Sequence, residues 1–569
     1  MNLEIARIFY EMADILEMQN VEWKPRAYRK AAKSIESLPI DVSEIYKKEG
    51  FEGLMKIPGV GERLAKKIEE YILTGKIREY EKLKKSLPRG LETLIEIPGL
   101  GPKKAVLLFK KLNIRTIEDL KKAANEGKIA KLPGFGEKSQ ENILKGIELF
   151  ERGQQRLLLS NAITIANEII EELKKVKGIE DIEPVGSLRR MKETVGDIDI
   201  LVVAKNPSAV MDKFVSLKNV ERVLAKGEKK SMVILKGNIQ ADVRVFERDE
   251  FGAALQYFTG SKEHNIELRK IAIKKGYKLN EYGLFKGNKK VAGENEEEIY
   301  KILVKNYIPP ELRENRGEIE AALEGKLPKL ITLKDIKGDF HVHTKYSDGD
   351  DTIEEIASAA KKIGYSFINI CDHSKSEHVA HGMEEERLLK QIEEIKEVRR
   401  KLKFNVFAGC EVDILKNGEL DYDDEILKKL DIVTVAVHSG FKMSEKEMTE
   451  RIITALNNKY VKIFTHPSGR LINRRNPYQV NMEKIFEVAA KNKIALEIDA
   501  FPDRLDLTDI NVKAAKELGI KITIGTDAHS ASQLHYMSLG VAVARRGWAE
   551  KEDIINTWEI EKIKEFFKI

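Results

Sequence analysis

Asp197 and Asp199 stand two residues apart in VGSLRRMKETVGDIDILVV (185–203). That spacing, at the start of an alternating apolar run, puts both carboxylates on one face of a strand. A third acid, Asp242, lies in IQADVRVF, where Ile239, Ala241, Val243 and Val245 form one face and Gln240, Asp242 and Arg244 the other. Three acids converging on one sheet face repel each other unless cations sit between them. Two Mg²⁺ ions are therefore expected, one activating a hydroxyl nucleophile and one holding phosphate. Gly186 and Ser187, ahead of a predicted helix, make a phosphate cradle, with Arg190 as a charged clamp. A lone Asp-x-Asp is ordinarily a turn or a helix cap. Here the Gly-Ser pair, the Asp-x-Asp and the distant strand Asp occur together, in that order.

A second constellation lies further on. GDFHVHTKYSDG supplies His341, His343 and Asp348, FINICDHS supplies His373, and FAGCEVD supplies Glu411. VTVAVHSG, KIFTHPSG and ITIGTDAHS add His438, His466, Asp527 and His529. Nearly every one ends an apolar run of strand length. In a parallel β/α barrel the C-terminal strand ends converge on one mouth. Nitrogen and oxygen ligands of this kind suit Zn²⁺, Mn²⁺ or Fe²⁺ rather than Mg²⁺ alone. Nine of the 10 histidines follow residue 340, so histidine–metal chemistry belongs to this part. Arg470, just after His466-Pro467, is a candidate ligand for a substrate phosphate. Cys371 and Cys410 flank ligands and read as buried small residues.

A third feature is a repeat: IPGVGERLAKKI (57–68), IPGLGPKKAVLL (97–108) and LPGFGEKSQENI (132–143). In each, a Gly-x-Gly turn opens a helix and points backbone N–H groups outward, which suits phosphate and ignores base identity. Gly59, Gly61, Gly99 and Gly101 are the turn glycines of the first two copies. Charge agrees. Residues 1–150 hold 29 Lys/Arg against 23 Asp/Glu, a surplus of six that equals the net charge of the whole chain, +6. A polyanion is expected there.

These groups need scaffolds. At 569 residues the chain exceeds one core, so two to four domains are expected. The first 150 residues read as amphipathic helices broken by Gly and Pro. Alternation then marks strands at 198–204, 232–237 and 241–246, with Gly237-Asn238 as a hairpin turn. A mixed helical segment follows to about 315, and residues 316–334, with Gly325 and Pro328, read as a linker. From 335 on, seven apolar strands alternate with helices. The first residues carry acids and lack a signal-peptide n-region, and no apolar run is long enough for a bilayer. Two cysteines exclude a disulfide framework and suit a reducing cytoplasm.

The three repeats resemble helix-hairpin-helix motifs, which grip DNA backbones. WKPRAYRKAAKSIESLP (23–39), followed by IPGVGERLAKKIEEYILTGKI (57–77), resembles the lyase domain of DNA polymerase beta. The resemblance puts Lys67 at the Schiff-base lysine and Lys24 at a 5′-phosphate contact. It departs at Arg63 and Glu79, which replace two phosphate-binding lysines. Lys67 stands either as a nucleophile or as a phosphate or solvent contact. The Gly-Ser, Asp-x-Asp and strand Asp set resembles the nucleotidyltransferase superfamily. YFTGSKEHN (257–265) and LRKIAIKKGYKLNEYGLF (268–285) resemble the nucleotide-binding wall of family X polymerases. The resemblance implies that Tyr257 and Phe258 sense the sugar. It puts Gly260 and Asn265 at the incoming nucleotide and Arg269 at the template. An acid of that family is Lys262 here. The nine metal-type residues resemble the polymerase and histidinol phosphatase (PHP) domain. By that pattern His341, His343, Glu411 and Asp527 hold one metal. Glu411 bridges to a second with His438 and His466, and Asp348, His373 and His529 hold a third.

The resemblance to bacterial and archaeal family X DNA polymerases covers essentially the whole chain. It implies six segments: a lyase-like helical domain (1–85), a helix-hairpin-helix subdomain (86–150), an α+β palm (151–247), a nucleotide-selection subdomain (248–315), the linker (316–334) and a distorted seven-stranded PHP barrel (335–569). The implied chemistry is template-directed gap filling in base excision repair by a cytoplasmic monomer using DNA and dNTPs, away from membranes. The barrel would remove 3′-terminal nucleotides or blocking phosphates, or cut at abasic sites. An untemplated nucleotidyltransferase fused to a phosphatase lacks a use for the helix-hairpin-helix repeats. A silent DNA scaffold lacks a use for intact metal sets.

Overall fold

A computed structural model describes residues 2–18, 21, 24–36, 42–57, 59–74, 76–85, 91, 94, 97, 100, 102–137, 139–141, 143, 144, 146, 147 and 156–569. The chain divides into two compact units, 1–155 and 156–569.

The first unit is helical in its described residues, as the sequence leads one to expect. Helix Glu62–Thr74 buries Leu64, Ala65 and Ile68, one helical face, against a core that includes Ile5, Phe9 and Ile35. A second core gathers Leu94, Leu100, Leu108 and Leu120. The three Pro-Gly repeats turn alike. The backbone N–H of Val60, Leu100 and Phe135 is bonded to the carbonyl of Ile57, Ile97 and Leu132 respectively, at 2.9, 3.0 and 3.0 Å. Gly99 and Gly101 lie outside the described residues.

The second unit opens with a five-stranded palm sheet. Its strands are β1 (Ile179–Pro184), β2 (Ile198–Ala204), β3 (Val220–Lys226), β4 (Lys230–Leu235) and β5 (Ile239–Phe246), in the order β1-β2-β5-β4-β3. The hairpin β4–β5 turns at Gly237 and Asn238, both with positive φ (82° and 62°). β5 runs parallel to β2, whereas β4 is its antiparallel hairpin partner. Alternation then sorts the faces. Ile198, Ile200, Val202, Ala241, Val243 and Val245 join the core with helix Leu159–Leu173. Leu201, Val203 and Phe246 face the other way, toward Phe251 and Ala254 of helix Phe251–Thr259. Asp199 and Asp242 share the parity of that second face.

Helices Phe251–Thr259, Lys262–Lys274 and Glu296–Val304 with a three-stranded antiparallel sheet form the next layer. Residues 316–334, expected as a linker, are instead built into the fold. Helix Glu318–Glu324 buries Ile319 and Ala322, and Glu318 Oε1 takes His264 Nδ1 at 2.7 Å. Ile331 is fully buried, its N–H bonded to the Ala549 carbonyl.

Seven parallel strands follow: β6 (Gly338–Val342), β7 (Phe367–Ile370), β8 (Asn405–Asp413), β9 (Ile432–Ala436), β10 (Val461–Phe464), β11 (Ala495–Asp499) and β12 (Ile522–Gly525). They pair in chain order, and the ring is nearly closed by a parallel bridge between Val342 and Ala528. Buried on every side, these strands read as continuous apolar runs. Among the described residues, no helix is long and apolar enough to cross a membrane.

Candidate active sites

Asp199 and Asp242 are register partners on the parallel pair β2–β5, and Asp197 stands one residue before β2. A parallel pairing at the sheet centre thus delivers all three acids to one edge. Burial, then Asp197 and Asp242, push the Asp199 carboxyl up to about 7. Burial and the Asp242 charge also raise Asp197. A carboxyl such as Asp199 takes up a proton near neutrality unless a cation replaces it, so the donor set fits divalent metals. Gln240 Nε2 donates to Asp242 at 3.1 Å, and Arg244 lies 3.8 Å away. Gly186, at φ +66°, opens a four-residue helix directly before Ser187, and a side chain there would begin 3.4 Å from Asp199 Oδ2. The Val185 N–H is bonded to the Asp199 carbonyl, which ties the Gly-Ser turn to the acids.

Arg190, the expected clamp, is anchored to Glu314 and to the Thr259 carbonyl. Gly260 makes room for it, since a side chain at 260 would begin 3.0 Å from Arg190 Nη1. Tyr257 and Phe258 stack edge-on at 5.1 Å, with Arg244 over the Phe258 ring. Asn265 Nδ2 donates to the Tyr257 carbonyl, while its Oδ1 accepts from Gln256. Arg269 folds back onto the Asn265 carbonyl.

In the first unit Lys24 is exposed at a helix start. Gly59 takes φ +82°, where added bulk would meet Lys30, and Gly61 is open. Lys67 Nζ is ion-paired with Glu79 at 2.8 Å, the same Glu79 that departs from the family pattern.

At the barrel mouth all nine expected ligands come together. Glu411 sits centrally, with imidazole nitrogens of His466, His373, His438, His341 and His343 at 2.7, 3.1, 3.2, 3.4 and 3.7 Å. Among the described residues, four sets of ligand atoms cluster within metal-binding reach: His343, Asp348, His373 and His529; His341, His343 and Asp527; His373, Glu411 and His438; and Glu377, Asp413 and His438. Buried Nδ1 of His343 and His466 has no hydrogen-bond partner, and Nδ1 of His373 and Nε2 of His438 face Glu411. Such orphaned nitrogens fit metal coordination. Burial holds His373 at about 4 and His466 at about 3, whereas the surrounding carboxylates overcome burial and raise His438 to about 10 and His529 to about 9, positive charge that a bound cation would replace. Supporting groups orient the rings: Glu497 at 3.0 Å from His341 Nδ1, and Asp413 on His438 Nδ1. Gly525 admits this packing, because a side chain there would begin 2.3 Å from His341 Cβ. His466 and Asp527 both hold positive φ, 28° and 52°, backbone strain of the kind concentrated at functional sites.

One assignment changes. Arg470, expected beside the metals as a phosphate ligand, is engaged at the palm. It pairs with Glu193 at 2.7 Å and donates to the Arg504 and Leu505 carbonyls. The arginine at the cluster is Arg504, 3.2 Å from Asp499 and 3.4 Å from Asp527. Its sequence context, FPDRLD, carries no motif that would have flagged it.

Comparison with known proteins agrees with this geometry. Residues 1–77 match the family described as "Helix-hairpin-helix domain", and residues 91–148 "SAM-like Helix-hairpin-helix tandem". Residues 254–314 match "DNA polymerase beta thumb", and residues 339–501 "PHP domain". The chain is 38% identical to the "DNA polymerase/3'-5' exonuclease PolX" of Bacillus subtilis, over 99% of both chains. A "Probable phosphatase" of Thermoanaerobacter sp. is 32% identical over 40% of this chain and 94% of its own. "DNA polymerase lambda" of Rattus norvegicus is 25% identical over 55% of this chain and 56% of its own. An acid-bearing palm, a polymerase thumb, helix-hairpin-helix repeats and a histidine-lined barrel on one chain have a full-length counterpart, and the chain belongs to the family X DNA polymerases that carry a C-terminal PHP domain.

Proposed function

We propose that this chain is a template-directed DNA polymerase that fills short gaps during base excision repair, and that its barrel is a 3′–5′ exonuclease or 3′-end phosphoesterase. The pairing of Asp199 with Asp242 across β2–β5, beside Asp197, carries the polymerase reading. Those three acids would hold Mg²⁺, which when bound would supply activation of the primer hydroxyl and charge neutralisation on the triphosphate. Gly186, Ser187, Arg190 and Gly260 receive the phosphates. Tyr257 and Phe258 screen the sugar, Asn265 meets the base, and Arg269 the template. Lys24 and the turns at Gly59, Gly61, Gly99 and Gly101 grip the DNA backbone through charge and N–H groups.

The nine barrel residues would hold Zn²⁺, Mn²⁺ or Fe²⁺, which when bound would supply an activated water and a phosphoryl clamp. Glu411, amid five imidazoles, would be shared between ions, and Arg504, paired with Asp499 and Asp527, would steady the carboxylates beside them. Two free, buried cysteines are compatible with a reducing cytoplasm. Incubation with 5′-labelled gapped DNA tests the whole reading on one gel. Extension that follows the template base is expected with dNTPs, and shortening from the 3′-end without them. Template-independent addition would overturn the polymerase assignment, and an intact 3′-end the exonuclease assignment.

A lyase activity at Lys67 is a second reading, favoured by the helical resemblance. The ion pair with Glu79 weighs toward Lys67 as a phosphate contact, because a Schiff-base nucleophile must present a free amine.

A further inference from the structure

The arginine assigned to the triphosphate is held by the barrel. Arg190 Nε donates to Glu314 at 2.9 Å, and its Nη1 to the Thr259 carbonyl. Glu314 also accepts from Arg546 Nη1 at 3.1 Å. The same Nη1 reaches the main-chain carbonyl of Arg190 at 2.7 Å. Arg546 Nη2 is fixed by Asp509 at 2.7 Å, and Asp509 in turn takes Arg316 at 3.0 Å. Ser187, Arg190 and Asp197 from the palm, and Asp509 and Arg546 from the barrel, line one cavity of about 630 Å³.

A free arginine side chain samples many rotamers, and ordering it costs up to about 2 kcal/mol. Fixing Nε and Nη1 removes that cost in advance and leaves Nη2 for a phosphate. Burial would raise the Glu314 carboxyl, yet Arg190 and Arg546 together hold it below the usual carboxylate range, ionised. The diverging donors of one planar guanidinium serve both Asp509 and the Glu314–Arg190 pair, which an ammonium cannot do in one geometry.

We propose that Arg546 is a positioning residue of the nucleotidyl-transfer site: through Glu314 and through the Arg190 carbonyl, it holds the Arg190 guanidinium ready for a nucleotide triphosphate. The inference rests on reading Arg190 as a phosphate ligand. Single-nucleotide insertion on gapped DNA should be measured for R190M, E314Q, R546M, R546K and R546M/E314Q, with thermal unfolding and 3′-end hydrolysis alongside. R546M and E314Q are each expected to raise the dNTP KM about tenfold, the scale of one misplaced charge-assisted hydrogen bond, with kcat little changed. R546K should recover part of the loss. R546M/E314Q should raise KM by less than the product of the two single effects, because the two residues share the Glu314 link while Arg546 alone holds the Arg190 carbonyl. Hydrolysis should be unaffected throughout. If R546M unfolds, E314Q, which keeps Arg546 paired with Asp509, and the double variant, which leaves no charge at either position, decide the matter. A raised KM in R190M with unchanged KM in the folded Glu314 and Arg546 variants would overturn the proposal. An unchanged KM in R190M would refute the phosphate reading of Arg190, and the positioning role would fall with it.

Discussion

Asp199 and Asp242 face each other across a parallel strand pair, so neither carboxylate has a substitute. Asp242→Ala is expected to lower nucleotide addition about a thousandfold while gel-shift affinity for gapped DNA stays near normal. Normal extension by that variant would dissolve the site. Borohydride trapping on 5′-deoxyribose-phosphate DNA should be weak, rise when Glu79→Gln frees the amine, and vanish in Lys67→Ala. Trapping that survives the last substitution would reduce Lys67 to a phosphate contact. Acids and histidines were legible because few other roles put such residues at the ends of apolar strands. Arginines were not. Arg470 follows His466-Pro467 closely, yet Glu193 draws its guanidinium to the palm. Arg504 reaches Asp527 from a loop whose sequence resembles any other.

At the scale of elements, periodicity located β2, β4 and β5 to within two residues, and the Gly237-Asn238 turn as well. It could not say that β5 would lie parallel to β2, since alternation fixes which side chains share a face but not which strand is the neighbour. The segment after residue 315 shows a second limit. Its Gly, Pro and charge suggest a linker, but Glu318 is buried against His264, a pairing that no local pattern encodes. The joint between the palm and the next layer is similarly non-local: Glu296 sits between Arg189 and Arg313. Burial alone would raise its carboxyl, and the two arginines reverse this, holding it at about 2 against an ordinary 4.5. A depressed folded-state value means stability fully present above pH 4.5 and lost as pH falls toward 2. Glu296→Gln is expected to cost about 3 kcal/mol at pH 7 and to flatten the acid limb of the stability curve. Parallel acid-unfolding curves for the two proteins would contradict this.

Across the second unit, two sets of metal ligands share no residue. Substituting His341 and His343 together should strip metal from the barrel, measured by elemental analysis, and abolish 3′-end hydrolysis. Gap filling should persist and gain in net yield, because product ends are no longer removed. Loss of dNTP addition in that folded variant would mean the centres are coupled through their metals. A fragment ending near residue 315 is a different matter. It keeps every polymerase acid but loses Glu318, the buried partner of His264, along with Arg546, Asp509 and Arg470, so its thermal stability should fall as well as its dNTP affinity.

The bond from Arg546 to the Arg190 carbonyl spans 356 residues, and its consequence lies in the order of synthesis. A ribosome that has reached residue 330 has already made every carboxylate for nucleotide addition. The guanidinium that steadies Arg190 is still more than two hundred codons away, and Asp527 and His529 nearly as far. An unfinished chain is therefore a poor polymerase with no metal centre behind it. Competence to extend a DNA end and competence to trim one arrive almost together, as the last stretch of the barrel emerges.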